Sequence, residues 1–168
     1  KRGVLEKVSN KLFDEITAFS AYAFNKSHAA AYAHIAYQTA YLKAHYPKPY
    51  MAALLTSVLD FGTKLSQYLK ECERLNFKVK APSINESSME FTFDNEGIRF
   101  GLLAVKNLGR NIINGIIEVR EREGNFESLY DFARKCKNVP INKRAIESLI
   151  KSGAFDSFGY TRRALMQS

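Results

Sequence analysis

The stretch Phe24-Asn25-Lys26-Ser27-His28-Ala29-Ala30-Ala31-Tyr32-Ala33 opens the longest helix that the sequence predicts. From His28 to Tyr46 the chain has neither Gly nor Pro, and seven of these residues are Ala, the best helix former. The run predicts a helix about 28 Å long at a rise of 1.5 Å per residue. The Ser27 hydroxyl is expected to cap its first turn.

The start of this helix also carries the first candidate site. Lys26 stands just before the first turn, where free backbone N–H groups and the helix dipole favour a phosphate. His28 and Tyr32 are four residues apart and therefore share one face. The pattern favours an anion site, and the alternative is that His28 and Tyr32 pack against Phe19 and Phe24.

The fold class expected from the whole chain is mainly α with a small β-hairpin. Apolar residues at helical spacing and flanking Pro, Gly and cap residues predict eight other helices: Glu6–Tyr22, 49–59, 64–75 capped by Thr63, 102–106, 110–122, 128–135, 143–151 capped by Asn142, and one from about Thr161. A short strand is expected at 77–80, and Asp94 to Gly97 predicts a hairpin turn in which Gly97 supplies a positive φ. We place a domain boundary near residue 80.

A second candidate site is the segment Val105-Lys106-Asn107-Leu108-Gly109-Arg110-Asn111, which resembles a helix-hairpin-helix motif. The usual hairpin is Gly-hydrophobic-Gly, which turns backbone N–H groups and the next helix N-terminus toward one phosphate. Here Asn107 replaces the first Gly, and Asn tolerates the left-handed region better than most residues. Leu108 would fill the space between the helices, while Lys106 and Arg110 add charge. The alternative is a helix turn with incidental basic residues.

A fainter second copy covers Leu149 to Phe155, around Gly153. Four cations surround it in the sequence: Arg144, Lys151, Arg162 and Arg163. Two such units would hold the strands of a duplex through phosphates, without reading bases. A turn that only builds the core is an equally good interpretation.

Composition favours an anionic partner, because 25 Lys and Arg against 17 Asp and Glu leave a net charge of +8. The two cysteines have no metal-ligand or disulfide spacing, which is typical of reduced thiols in a cytoplasmic protein. Neither a membrane-spanning run nor a signal peptide is visible. The chain begins without Met and ends in what the sequence predicts to be a helix, so we expect it to be part of a longer polypeptide.

Much of the chain resembles the bacterial C-family replicative DNA polymerases. The resemblance is carried by residues 24–33, 36–47, 51–56, 98–101, 105–106 and 149–156. It implies the later part of the fingers subdomain over residues 1–80 and a tandem helix-hairpin-helix subdomain over 81–168. It also implies that Lys26, His28 and Tyr32 contact the incoming deoxynucleoside triphosphate, and that 106–111 with the four cations around Gly153 hold duplex DNA.

Nucleotidyl transfer requires carboxylates that hold two metal ions. In the resembled family these belong to an Asp-x-Asp element of the palm, and Asp94-Asn95-Glu96 lies instead in an expected solvated turn. We therefore expect no catalytic residue, metal ligand or cofactor in this chain, which should be inactive alone. Magnesium would be held by the palm, and other replisome subunits would bind elsewhere on the parent. The alternative function is a non-enzymatic helix-hairpin-helix module of a repair or recombination protein.

Overall fold

The computed structural model describes Gly3, residues 5–23 and residues 26–167, without the side chains of 21–23. It is mainly helical with one small sheet, as the sequence predicts. The described residues form α1 (Glu6–Ala23), α2 (Lys26–His45), α3 (Pro47–Ser57), α4 (Gly62–Arg74), β1 (Lys78–Lys80), β2 (Thr92–Phe93), β3 (Gly97–Arg99), α5 (Arg110–Glu123), α6 (Leu129–Lys135), α7 (Lys143–Ser152) and α8 (Arg162–Gln167). Short 3₁₀ helices cover Leu102–Ala104 and Asp156–Phe158.

The chain divides into two compact units, with the boundary between His45 and Tyr46. The first unit contains α1 and α2, and none of the described residues of α2 is buried. The second unit contains everything from α3 onward, with two apolar cores. The functional boundary near residue 80 lies inside this second unit and stays a prediction.

The first core of the second unit lies between α3, α4 and the sheet, around Met51, Leu55, Cys72, Phe91 and Ile98. The sheet has the order β1-β3-β2, in which β1 runs parallel to β3 and β2 runs antiparallel to it. The predicted hairpin is thus confirmed, and the parallel partner β1 extends it. The larger core joins α5, α6, α7 and α8 and includes Leu108, Ile116, Phe132 and Phe155.

The turn between β2 and β3 corrects one expectation, because Gly97 does not have a positive φ. Asp94 makes the turn instead, since its Oδ1 accepts hydrogen bonds from the N–H groups of Glu96 and Gly97 at 2.8 and 2.9 Å. Gly97 is needed for a different reason. A Cβ at this position would lie 1.9 Å from the Lys78 carbonyl oxygen, so only glycine lets β1 approach β3.

Helix ends follow the sequence where the cap is local. The Asn142 side chain accepts a hydrogen bond from the Ala145 N–H at 2.9 Å, as predicted, and Gly153 ends α7 with φ of 88°. Two other predicted caps are wrong, since a cap residue must be non-helical while Ser27 and Thr63 lie inside α2 and α4. Those helices begin one residue before each, at Lys26 and Gly62.

Both cysteines are free and buried, one in each core of the second unit. Burial raises the pKa of the Cys72 thiol and of the Cys136 thiol to about 11, because a thiolate would be poorly solvated there. Both thiols are therefore protonated at neutral pH.

Candidate nucleic-acid interface

The predicted hairpin between residues 105 and 111 has the backbone that a phosphate cradle requires. Asn107 adopts φ of 64°, the left-handed conformation expected of the residue that replaces glycine. Leu108 is 7% exposed and belongs to the larger core, so it anchors the turn as predicted. Gly109 follows in extended conformation and leads directly into α5.

The N-terminus of α5 is open toward solvent. Gly109 precedes it without a side-chain cap, so the N–H groups of Arg110, Asn111 and Ile112 have no acceptor within the helix. A Cβ at Gly109 would meet no described atom within 4 Å outside its chain neighbours. Since α6 and α7 are capped by Ser128 and Asn142, the open start of α5 distinguishes it from those two helices.

Cations flank this open turn. Lys106 and Arg110 are exposed on either side of Leu108 and Gly109. The only partner recorded for the Arg110 guanidinium among the described residues is the Met89 sulfur, 3.2 Å from its Nη1. Because a thioether is a weak acceptor, it leaves the guanidinium able to bind a stronger one. An anion near the turn would meet these two charges and the helix dipole together.

A hydrogen bond joins the hairpin to α7, and it was not foreseen from the sequence. The Asn107 Nδ2 donates to the Ser148 Oγ at 2.9 Å. Arg144 and Lys151 lie four residues before and three residues after Ser148, so they share its face of α7. The structure therefore brings one face of α7 to the hairpin. The spacing of Arg144, Ser148 and Lys151 was visible in the sequence, but their partner was not.

The predicted second hairpin around Gly153 has a different character. The Arg162 guanidinium contacts both carboxylate oxygens of Asp156, at 3.0 and 2.6 Å, and donates a third hydrogen bond to the Lys151 carbonyl at 3.1 Å. Hydrogen bonding to Arg162 lowers the pKa of Asp156 and raises that of Arg162. The Arg162 guanidinium therefore binds groups of this chain at the turn, where an external phosphate would otherwise bind.

The other cations around Gly153 are less constrained. Lys151 pairs with Glu147 at 3.4 Å on the surface of α7, an ion pair that contributes little in water. Arg144 and Arg163 are both exposed. These three side chains can still reach an external phosphate, whereas Arg162 must first leave Asp156.

The predicted nucleotide site lies in the other unit, at the start of α2. Lys26, His28 and Tyr32 are all exposed, and the His28 and Tyr32 rings lie 4.3 Å apart between centroids with a tilt of 42°. Phe19 is 74% exposed, so it does not form an apolar core over these rings. Phe24, the other side chain of that alternative, lies outside the described residues. The imidazole and the phenol therefore lie side by side on one face of α2, and Lys26 is the first residue of the same helix.

The structure shows neither a metal cluster nor a membrane helix in the part of the chain that it describes. No group of three or more His, Cys, Asp or Glu side chains there is placed to share a metal ion. None of the described helices is both long and apolar enough to cross a bilayer.

Comparisons with known proteins agree with this geometry. The helix-hairpin-helix motif family matches residues 76–165. The chain is 52% identical over 167 residues to the DNA polymerase III subunit alpha of Saccharopolyspora erythraea, covering 99% of this chain and 14% of that protein. It is 48% identical over 165 residues to the subunit of Thermus aquaticus, covering 98% and 14%.

The subunit of Borreliella burgdorferi is 45% identical over 172 aligned residues, which cover 99% of this chain and 15% of that protein. The chain thus spans about one seventh of the length of the curated relatives it matches, and the resemblance to bacterial replicative polymerases is confirmed. Because the family match covers more than half of the chain, on the same residues that build the open hairpin, this chain belongs to the helix-hairpin-helix motif family.

Proposed function

We propose that this chain is a DNA-holding segment of a bacterial replicative DNA polymerase, and that it binds duplex DNA without sequence preference. The observation that supports this most directly is the turn at Asn107, Leu108 and Gly109, with its open helix start and its two flanking cations. Such a turn meets the phosphate backbone, which is the same for every sequence. The excess of 25 basic over 17 acidic residues favours the same partner.

Lys106 and Arg110 supply charge to the phosphates, and the N–H groups at the start of α5 supply directional hydrogen bonds. Leu108 fixes the turn against the core, while Asn107 holds it to α7 through Ser148. Arg144 and Lys151 extend the basic surface from this hairpin along α7, and the exposed Arg163 adds a cation on α8. The contacts carry no base readout, because none of these groups needs to enter a groove.

The segment also contributes to the pocket for an incoming deoxynucleoside triphosphate, through Lys26, His28 and Tyr32. The Lys26 ammonium suits phosphate oxygens, His28 can donate a hydrogen bond, and the exposed Tyr32 ring offers a face to a sugar or base. The polymerase activity, its magnesium ions and its other replisome partners belong to the longer protein of which this chain would be part.

The experiment is duplex binding by fluorescence anisotropy over a salt series, on two duplexes of unrelated sequence. The double variant Lys106→Ala/Arg110→Ala should weaken binding to both duplexes equally. It should lower the slope of log K against log salt by about 1.8, since each phosphate contact contributes about 0.9.

A matched control removes the same two charges from α1, in Lys7→Ala/Lys11→Ala, where both side chains are exposed. The control should keep the slope of the original chain. Equal losses in the two double variants would show that net charge, and not the hairpin, accounts for binding. A preference for one duplex would contradict backbone recognition.

A non-enzymatic helix-hairpin-helix module remains the second candidate function, because the hairpin itself does not depend on a polymerase. It predicts that the longer protein containing this chain binds duplex DNA but incorporates no nucleotide, with or without the change Lys26→Ala. The polymerase proposal predicts a raised KM for the nucleotide with duplex affinity unchanged.

A further inference from the structure

A second face of α2 carries aromatic side chains that neither the hairpin nor the nucleotide site uses. Tyr37, Tyr41 and His45 follow one another at intervals of four residues and form a continuous stripe. Ring centroids lie 6.4 Å apart between Tyr37 and Tyr41, and 4.2 Å apart between Tyr41 and His45, with tilts of 34° and 36°. At 100° per residue, this stripe points away from the face of His28 and Tyr32.

The stripe is open to solvent in the described structure. Tyr37 is 69% exposed, Tyr41 is 45% exposed, and His45 is also exposed. Ala33, Ala40 and Ala44 flank it on one side, and their small, exposed side chains leave that edge of the rings open to solvent. On the other side, the Gln38 Nε2 and the His34 Nε2 lie 3.1 Å apart and form a polar edge.

The charge of α2 selects the kind of partner. The helix contains Lys26, Lys43 and three histidines but no Asp or Glu. It therefore has no carboxylate that would repel an anionic partner. The larger aliphatic side chains of α2, Ile35 and Leu42, lie on a different face from the stripe. The stripe itself is therefore aromatic and polar, and it lies on a helix without acidic side chains.

We propose that Tyr37, Tyr41 and His45 form a stacking surface for unpaired DNA bases. Single-stranded nucleic acids bind where aromatic rings stack on successive bases and nearby cations attract the backbone. The stripe provides three successive rings whose centroids lie 6.4 and 4.2 Å apart. His34 and Gln38 provide hydrogen-bonding groups for base edges. This inference rests on the proposed function, since it assumes a chain that handles DNA, but it concerns a different unit and a different form of DNA.

The experiment compares binding of a fluorescent 20-nucleotide oligothymidine with binding of a 20-base-pair duplex. The variant Tyr37→Leu/Tyr41→Leu removes both rings and should weaken oligothymidine binding about tenfold or more per ring. Duplex affinity should stay within about twofold of the original chain. Tyr37→Phe/Tyr41→Phe keeps the rings and should retain most of the single-strand affinity.

The matched control is Tyr130→Leu, which removes a highly exposed ring from the second unit and should leave oligothymidine binding unchanged. If the Leu double variant binds oligothymidine like the original chain, or if the Phe variant loses as much as the Leu variant, the stacking surface is wrong. A loss of duplex affinity equal to the loss of single-strand affinity would also overturn it.

A measurement on the unaltered chain guards against a variant that fails to fold. Photo-crosslinking to an oligothymidine that carries 5-iodouracil should attach the strand to Tyr37, Tyr41 or His45, as mapped by mass spectrometry of tryptic peptides. Crosslinks confined to other residues would overturn the proposal. If no crosslink forms on the stripe while the chain still binds duplex DNA, the stacking proposal fails and the hairpin proposal is unaffected. The hairpin proposal is tested separately, by the duplex affinity of Lys106→Ala/Arg110→Ala.

Discussion

Two glycine-containing turns of the second unit have similar sequence patterns, but their arginine side chains have different partners. At the first turn, Gly109 opens into solvent and Arg110 meets only the sulfur of Met89 among its recorded partners in the described structure. At the second, Gly153 lies under the Arg162 guanidinium, which Asp156 holds through two hydrogen bonds.

This difference shows that a cation beside a glycine turn does not by itself predict a phosphate site. What matters is whether a carboxylate of the same chain already occupies the guanidinium. The first turn keeps its hydrogen-bonding capacity for a partner, while the second uses it to fasten α8 to α7. The two turns can therefore be separated by changes that affect stability alone or binding alone.

The largest effect is expected for Gly153→Ala. Gly153 has φ of 88°, and a Cβ there would lie 2.4 Å from the Arg162 Nη2 and 2.8 Å from the Asp156 Oδ2. We expect a loss of about 2 kcal/mol in the free energy of unfolding, from the left-handed strain and the displaced ion pair. Urea denaturation followed by circular dichroism measures it, and an unchanged midpoint would show that the turn relaxes freely.

Gly109→Ala is the matched change at the first turn and should have the opposite character. Gly109 has φ of −84° and free space around it, so unfolding should shift by no more than about 0.5 kcal/mol. The added methyl group would stand between the α5 amides and a phosphate, and duplex affinity should fall about tenfold, or about 1.4 kcal/mol. A stable variant with full duplex affinity would remove the backbone amides from the interface.

A double-mutant cycle sharpens the role of the bond between Asn107 and Ser148. Ser148→Ala should destabilise the chain by about 1 kcal/mol because it removes one hydrogen bond, and the same change made on Asn107→Gly should cost almost nothing. The two sites should therefore show a coupling energy of about 1 kcal/mol in urea denaturation. Additive losses would mean that the hydroxyl and the amide act independently.

The smallest expected effect is the pH dependence of stability at the second turn, where Asp156 pairs with Arg162. The Arg162 guanidinium lowers the pKa of Asp156, so this carboxylate stabilises the fold above its unfolded pKa. That stabilisation disappears as pH falls through the folded pKa. Thermal unfolding should therefore show Asp156→Asn as less stable than the original chain at pH 6, with the difference shrinking as the pH falls below the ordinary pKa of an aspartate.

The carboxylates of Asp94 and Asp131 also have pKa values lowered to about 2, mainly by hydrogen bonds from Lys80 and Lys135. Their titration is common to both chains of the Asp156 comparison and cancels from the difference. A difference between the two chains that does not shrink in acid would show that the asparagine acts by shape rather than by charge.

Local signals were readable from the sequence because they involve neighbours along the chain. The Asn142 cap, the helix stop at Gly153 and the left-handed Asn107 all depend on a few adjacent residues, and the structure confirms them. The family resemblance indicated duplex DNA as the expected partner of the hairpin. Ser27 and Thr63 were misplaced because a cap residue differs from a first-turn residue by a shift of only one position.

Contacts between distant residues were not readable in the same way. The parallel pairing of β1 with β3 depends on a close approach that only the space around Gly97 reveals. The hydrogen bond from Asn107 to Ser148 joins residues 41 positions apart, and the sequence around either residue gives no sign of the contact. Arg162 and Arg163 are adjacent in sequence, yet only Arg162 is held by Asp156, which depends on how α8 returns to α7.

The two buried, protonated cysteines make the chain a ready background for site-specific labelling. Maleimides react with thiolates, so Cys72 and Cys136 should stay unmodified at neutral pH while the fold persists. A cysteine placed at an exposed position of α5 outside the proposed contacts, as in Asn114→Cys, would then react alone. A fluorophore attached there could report contact with DNA in real time without replacing either native thiol.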